Sequence, residues 1–172
     1  MKIFIGFSKP IGTSLFGSMI SLVECRPYDH VYIRLQEPMD NEYMIFQASN
    51  MQVNLYSITN FNVAHSTIKE YEITITQEQY QLLWRFVKSM LGVPYSLKED
   101  FGILLMKIFH LSGQPFNDGN RAEFCSKLGA TVCNLLGIEM SEDVSQIDPS
   151  GLDTKLSSLG IKCSYGQINT DN

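Results

Sequence analysis

No run of basic residues occurs in the 172-residue chain: 13 Lys and Arg are scattered among 18 Asp and Glu, for a net charge of −5 and a pI near 5.1. Proteins that hold nucleic acid or an anionic membrane concentrate cations on one surface, so neither is expected as a partner. The four cysteines form no CxxC pair, and the three histidines, His30, His65 and His110, stand far apart. That spacing signals neither a disulfide framework nor a zinc site, and no metal or cofactor is expected. The Cys25 and His30 pair makes a metal-dependent hydrolase only the remotest reading.

Long apolar runs are missing as well. Lys107 interrupts the most apolar stretch, Phe101 to Leu111, which falls short of the about 20 residues a membrane-spanning helix needs. The apolar start of the chain ends at Ser8 and Pro10, too soon for a signal-peptide core. The expectation is a protein without a transmembrane segment, working in the cytoplasm. There is no internal repeat or low-complexity linker, and the length fits a single domain over residues 1–172.

What is present is a succession of strand patterns followed by helix patterns. Lys2 to Phe7 reads as a buried strand, and a helix over 13–24 follows the Ser8, Pro10, Gly12 break. In DHVYIRLQ, residues 29–36, Val31, Ile33 and Leu35 alternate with His30, Tyr32 and Arg34, so one face is core and the other carries His30. Residues 42–49 read as the returning strand of a hairpin, and 51–58 and 70–75 as further strands. The period then changes. Thr76 and Gln79 form a capping-box pattern ahead of a helix lined by Leu82, Leu83, Phe86, Val87 and Met90 and stopped at Gly92 and Pro94. Helices over 98–111 and 121–137 and a late strand at 161–166 complete the chain. Strands and helices segregated in this way predict an α+β fold, an antiparallel sheet packed against helices.

The segment RAEFCSKLGATVC, residues 121–133, raises the chemical question. Its apolar residues recur at helical spacing after a turn-prone stretch, which sets Cys125 in the first turn of a helix. Unpaired backbone N–H groups and the helix dipole there favour a thiolate, and hence a nucleophile. A small buried core residue is the competing reading, since cysteine is among the most buried residue types. A nucleophilic thiol needs a base, and the base needs a polar group to hold it. His30, on the polar face of its strand, is the leading base. His65, in a loop-like stretch, and His110, at a helix end, read as surface residues. A hairpin register that sets Gln47 opposite His30 makes it the orienting group, but a slip of one residue turns it to the other face, and the apolar pattern leaves the register open.

Three segments, GVPYS at 92–96, FCSKLG at 124–129 and DHVYIRL at 29–35, resemble the signatures of NlpC-type papain-like cysteine peptidases. The histidine strand precedes the cysteine helix, as in the circularly permuted branch that includes YiiX-like proteins and relatives of lecithin:retinol acyltransferase. FQAS with Gln47 and DPSGLDTKL at 148–156 resemble later segments of that branch. The resemblance implies a permuted papain-like fold with Cys125 as nucleophile, His30 as general base, Gln47 as orienter and Tyr95 at the rim of the substrate site. It implies hydrolysis of a peptide, isopeptide or acyl-amide substrate. The same site used as a lipid acyltransferase, or kept as a catalytically silent binding domain, are the alternatives. The chain departs from many relatives in Lys127, where they have glutamate, and in Asp29, where they have a small residue.

Overall fold

Alternation of apolar side chains sorts the strands into two faces. The computed structural model describes residues 1–12, 27–40, 42–49, 52–93, 125–140, 144 and 147–166. The helices expected over 13–24 and 98–111 lie outside them, as do Cys25, Tyr95 and His110. Six strands, β1 (Lys2–Pro10), β2 (His30–Gln36), β3 (Tyr43–Ser49), β4 (Gln52–Ser57), β5 (His65–Thr74) and β6 (Cys163–Tyr165), form an antiparallel sheet in the order β4-β3-β2-β1-β5-β6. Among the described residues four helices accompany them: α1 (Ile58–Ala64), α2 (Gln77–Met90), α3 (Cys125–Leu135) and α4 (Pro149–Ser158). The architecture is α+β.

Ile3, Ile5 and Phe7 of β1, Val31, Ile33 and Leu35 of β2, and Phe46 and Ala48 of β3 turn to one face. There they bury against Leu83 and Val87 of α2, Leu128 and Val132 of α3, and Leu152 and Leu156 of α4. The alternate residues turn to the other face, where Tyr32 and Ile45 pack with Ile58 and Phe61 of α1. Gly6 is required on that face. A Cβ there would come within 2.0 Å of the Tyr32 ring that lies across it.

The capping box read from Thr76 and Gln79 is present, with each side chain bonded to the other residue's backbone N–H. Helix α2 ends where Gly92 takes a positive φ of 82° and donates its N–H to the Val53 carbonyl on β4. Helix α1 was not expected. It is too short to show a helical period, and Ser57 caps it by accepting from the Asn60 N–H. Strand β5 begins at His65, earlier than the expected 70, because a bulge between Phe7 and Ser8 shifts its pairing with β1 and extends the ladder to Pro10↔His65.

Two charged clusters tie the layers. On the α1 face Arg34 makes a bidentate pair with Glu70, at 2.9 and 2.6 Å, and lies over the Phe4 ring. On the helix face the Asp153 carboxylate of α4 accepts from Tyr28, Lys69 and Tyr71. Burial would raise the Asp153 pKa, but these donors outweigh it and hold the carboxyl below its ordinary value.

Candidate active site

Strand β2 starts at His30, and its first turn of ladder belongs to β1 alone: Ser8 pairs with His30, whereas β3 joins β2 only from Ile33↔Phe46 onward. Strand β3 meanwhile stays paired to β4 as far as Ser49↔Gln52. The sheet therefore splits between β2 and β3 at this end. Continuing the observed register places Gln47 across from Tyr32, not directly across from His30. An offset of two residues preserves the face, so Gln47 still lies diagonally beside His30. Its side chain bridges the split. His30 Nε2–H donates to Gln47 Oε1 at 2.7 Å, and both residues are nearly inaccessible, at 8% and 2% exposure.

That bond fixes the tautomer. An amide oxygen only accepts, so Nε2 carries the proton and Nδ1 keeps its lone pair. Burial, aided by His65 close by, pushes the His30 pKa down to about 3 against the pull of Gln47, so the ring is neutral at pH 7. The arrangement is a neutral imidazole with one nitrogen anchored and the other able to take a proton.

Cys125, 4% exposed, is the first described residue of α3. Helix α3 lies over β2 and β3, and its direction follows from its ends. The carbonyl of Leu136, just past its C-terminus, accepts from Gln79 at the start of α2. Next to Gln79, Tyr80 and Trp84 both donate to the carbonyl of Gln36, the last residue of β2. The C-terminal end of α3 thus lies toward the end of β2, and Cys125 toward its start, where His30 is. Gly129, one turn after Cys125, is held so tightly against Val31 and Leu152 that a Cβ would come within 3.0 Å of Val31 Cγ1 and 2.9 Å of Leu152 Cδ2. Ser126 donates to the Ile147 carbonyl at 2.7 Å, pinning the start of α3 to the segment that leads into α4.

The structure joins His30 to Gln47 directly on the α1 face; Cys125 lies toward the same end of the sheet but in the core on its helix face. Tyr95 lies outside the described residues. One neighbour escaped the sequence reading. His65, taken there as a surface residue, packs its ring 5.0 Å from that of His30 and stacks face to face on Phe61 at 4.7 Å. The strand signal starting at Tyr71 did not extend back to it, because the bulge breaks the alternation.

No protein-family model matches the chain, and no curated protein matches it in sequence. Among solved structures it is similar to the metalloprotein YiiX of Escherichia coli O157:H7, with 17% sequence identity and a TM-score of 0.56 over 98% of this chain and 87% of that one. The chain has a YiiX-like fold.

Proposed function

We propose that this protein is a thiol-dependent hydrolase that cleaves an amide or isopeptide bond through an acyl-enzyme on Cys125. The observation that carries this reading is the His30 to Gln47 hydrogen bond across the split sheet, which leaves Nδ1 as the acceptor toward the end of the sheet at which Cys125 lies. In the reaction, the Cys125 thiol gives its proton to His30 Nδ1 and the sulfur adds to the substrate carbonyl. The backbone N–H of Cys125 donates to the resulting oxyanion. Collapse expels the amine, which takes the proton from the imidazolium and leaves a thioester. Water then adds to the thioester with His30 as base, and collapse releases the acid and restores the thiol. Gln47 holds the ring throughout, but as a neutral amide it stabilises imidazolium less than a carboxylate does.

YiiX is named a metalloprotein. Among the described residues of this chain no three His, Cys, Asp or Glu side chains are grouped to hold a metal ion, and His30 Nε2 is already committed to Gln47. The described residues do not fit a metal. Among the described residues no helix is long and apolar enough to cross a membrane.

A second reading, a papain-like domain that binds without catalysis, is favoured by one observation: a ring whose pKa is near 3 is a weak base for a thiol. Intact-mass spectrometry after exposure to p-nitrophenyl acetate separates the two. The hydrolase acquires and then loses one acetyl group on Cys125, His30→Ala acquires it far more slowly, and Cys125→Ser turns over none. A wild-type protein that is never acetylated at Cys125 leaves the binding domain as the account.

A further inference from the structure

Packing alone does not account for a histidine at position 65. Its ring stacks on Phe61 at an interplanar angle of 5°, its backbone N–H caps α1 by donating to the Phe61 carbonyl, and the ladder pairs it with Pro10. A phenyl ring would stack there equally well. Instead the chain half-buries an imidazole whose Nδ1, sealed from water, has no hydrogen-bond partner among the described residues. Leaving a polar atom unmet in this way is costly. Two further buried atoms on this face have no partner among the described residues: Asn54 Oδ1, across from Gln47, and Ser8 Oγ, in a residue with 0% exposure that the ladder pairs with His30 itself.

We propose that His65 is a positioning residue for the reaction at His30: it takes the first proton on acidification and so keeps His30 an unprotonated base. This rests on the hydrolase reading above. Two imidazole rings 5.0 Å apart and shielded from water repel when both are charged, so the pair accepts one proton readily and a second only reluctantly. His65 receives the first because it is the less buried of the two and its Nδ1 is tied to no partner among the described residues. His30 has one nitrogen held by Gln47 and lies deeper. Burial lowers both rings, His30 to about 3, and the charge on His65 contributes to the depression of His30.

Among the described residues, the other groups near this pair are these. β1 brings Ser8, β3 brings Gln47, and β5 brings Thr67 and Glu70, the latter already bound to Arg34 and Tyr32. Helix α1 has no titratable side chain. On the histidine strand itself Asp29 precedes His30, and burial raises its pKa to about 6, so it titrates in the same range and must be controlled for.

The test is a pH titration of the ring nitrogens of His30 and His65 by heteronuclear NMR, alongside the pH profile of Cys125 alkylation. Both are measured in the Asp29→Asn background, with and without His65→Phe. The phenyl keeps the stack and removes the charge. The expected result is that His65 titrates before His30, and that His65→Phe raises the His30 midpoint by about one to two pH units. The acid limb of Cys125 alkylation then moves up with it. His65→Gln, also uncharged, serves if the phenyl variant does not fold. A His30 midpoint unchanged by either variant, or His30 titrating before His65, overturns the proposal. The NMR midpoint reads His30 whether or not Cys125 reacts. An inert Cys125 with a shifted His30 therefore defeats the hydrolase reading and leaves the shared proton intact.

Discussion

His30 and Gln47 meet nitrogen to oxygen at 2.7 Å across a gap where their two strands no longer pair. Among the described residues it is the one hydrogen bond to a His30 ring nitrogen, and it predicts opposite outcomes for two substitutions. Gln47→Leu strands a buried N–H and costs roughly 1–3 kcal/mol of stability by chemical denaturation. It also frees the ring to turn, so alkylation of Cys125 slows. Gln47→Glu places a carboxylate beside the ring and raises the His30 pKa, and Cys125 then reacts at lower pH than in the native protein.

The depressed pKa of His30 makes stability depend on pH with a definite sign. Between its ordinary value of 6.5 and about 3, the unfolded chain binds a proton there that the folded chain does not. Stability from this residue is therefore complete above about 6.5 and is lost as pH falls toward 3, by a few kcal/mol at most. Asp29 acts in the opposite sense. Its pKa rises from 3.8 to about 6, so the folded chain holds a proton that the unfolded chain releases, and its contribution fades as pH rises through 6. Denaturation midpoints across pH 3 to 7 should flatten in His30→Gln and steepen in Asp29→Asn.

Helix α3 is set against β2 by the absence of a side chain at Gly129. Gly129→Ala gains helix propensity of up to about 1 kcal/mol, but its methyl would press on Val31 and Leu152, both fully buried. Overpacking of that kind costs about 1–3 kcal/mol, so a net loss is expected in the thermal midpoint. Because Cys125 lies one turn away on the same helix, its alkylation rate should change in the same variant. Leu152→Val, which removes a methylene from the crowded contact, should restore part of both.

Much of this arrangement was legible in the residues. The alternation of Val31, Ile33 and Leu35 with His30, Tyr32 and Arg34 put His30 on the face away from the main core, where it is found. Thr76 and Gln79 announced α2, and the spacing after Cys125 announced α3. The hairpin register was open because Tyr43, Ile45 and Gln47 are about as apolar a set as Met44, Phe46 and Ala48. The observed register differs by two residues from direct opposition, and the face of Gln47 survives because strand periodicity is two. His65 was illegible for two physical reasons. A seven-residue helix shows no period, and the bulge in the β1–β5 pairing interrupts the alternation that would have carried the strand back to it.

The most direct measurement is the rate of alkylation of each cysteine by a small haloacetamide at neutral pH, resolved by mass spectrometry, in the native protein and in His30→Ala. Burial pushes the Cys133 thiol up to about 12, so it serves as the unreactive internal reference. The account predicts that Cys125 reacts much faster than Cys133 and Cys163, and that His30→Ala brings it down to their level. A Cys125 no faster than those two, or one whose rate His30→Ala leaves unchanged, would contradict the account.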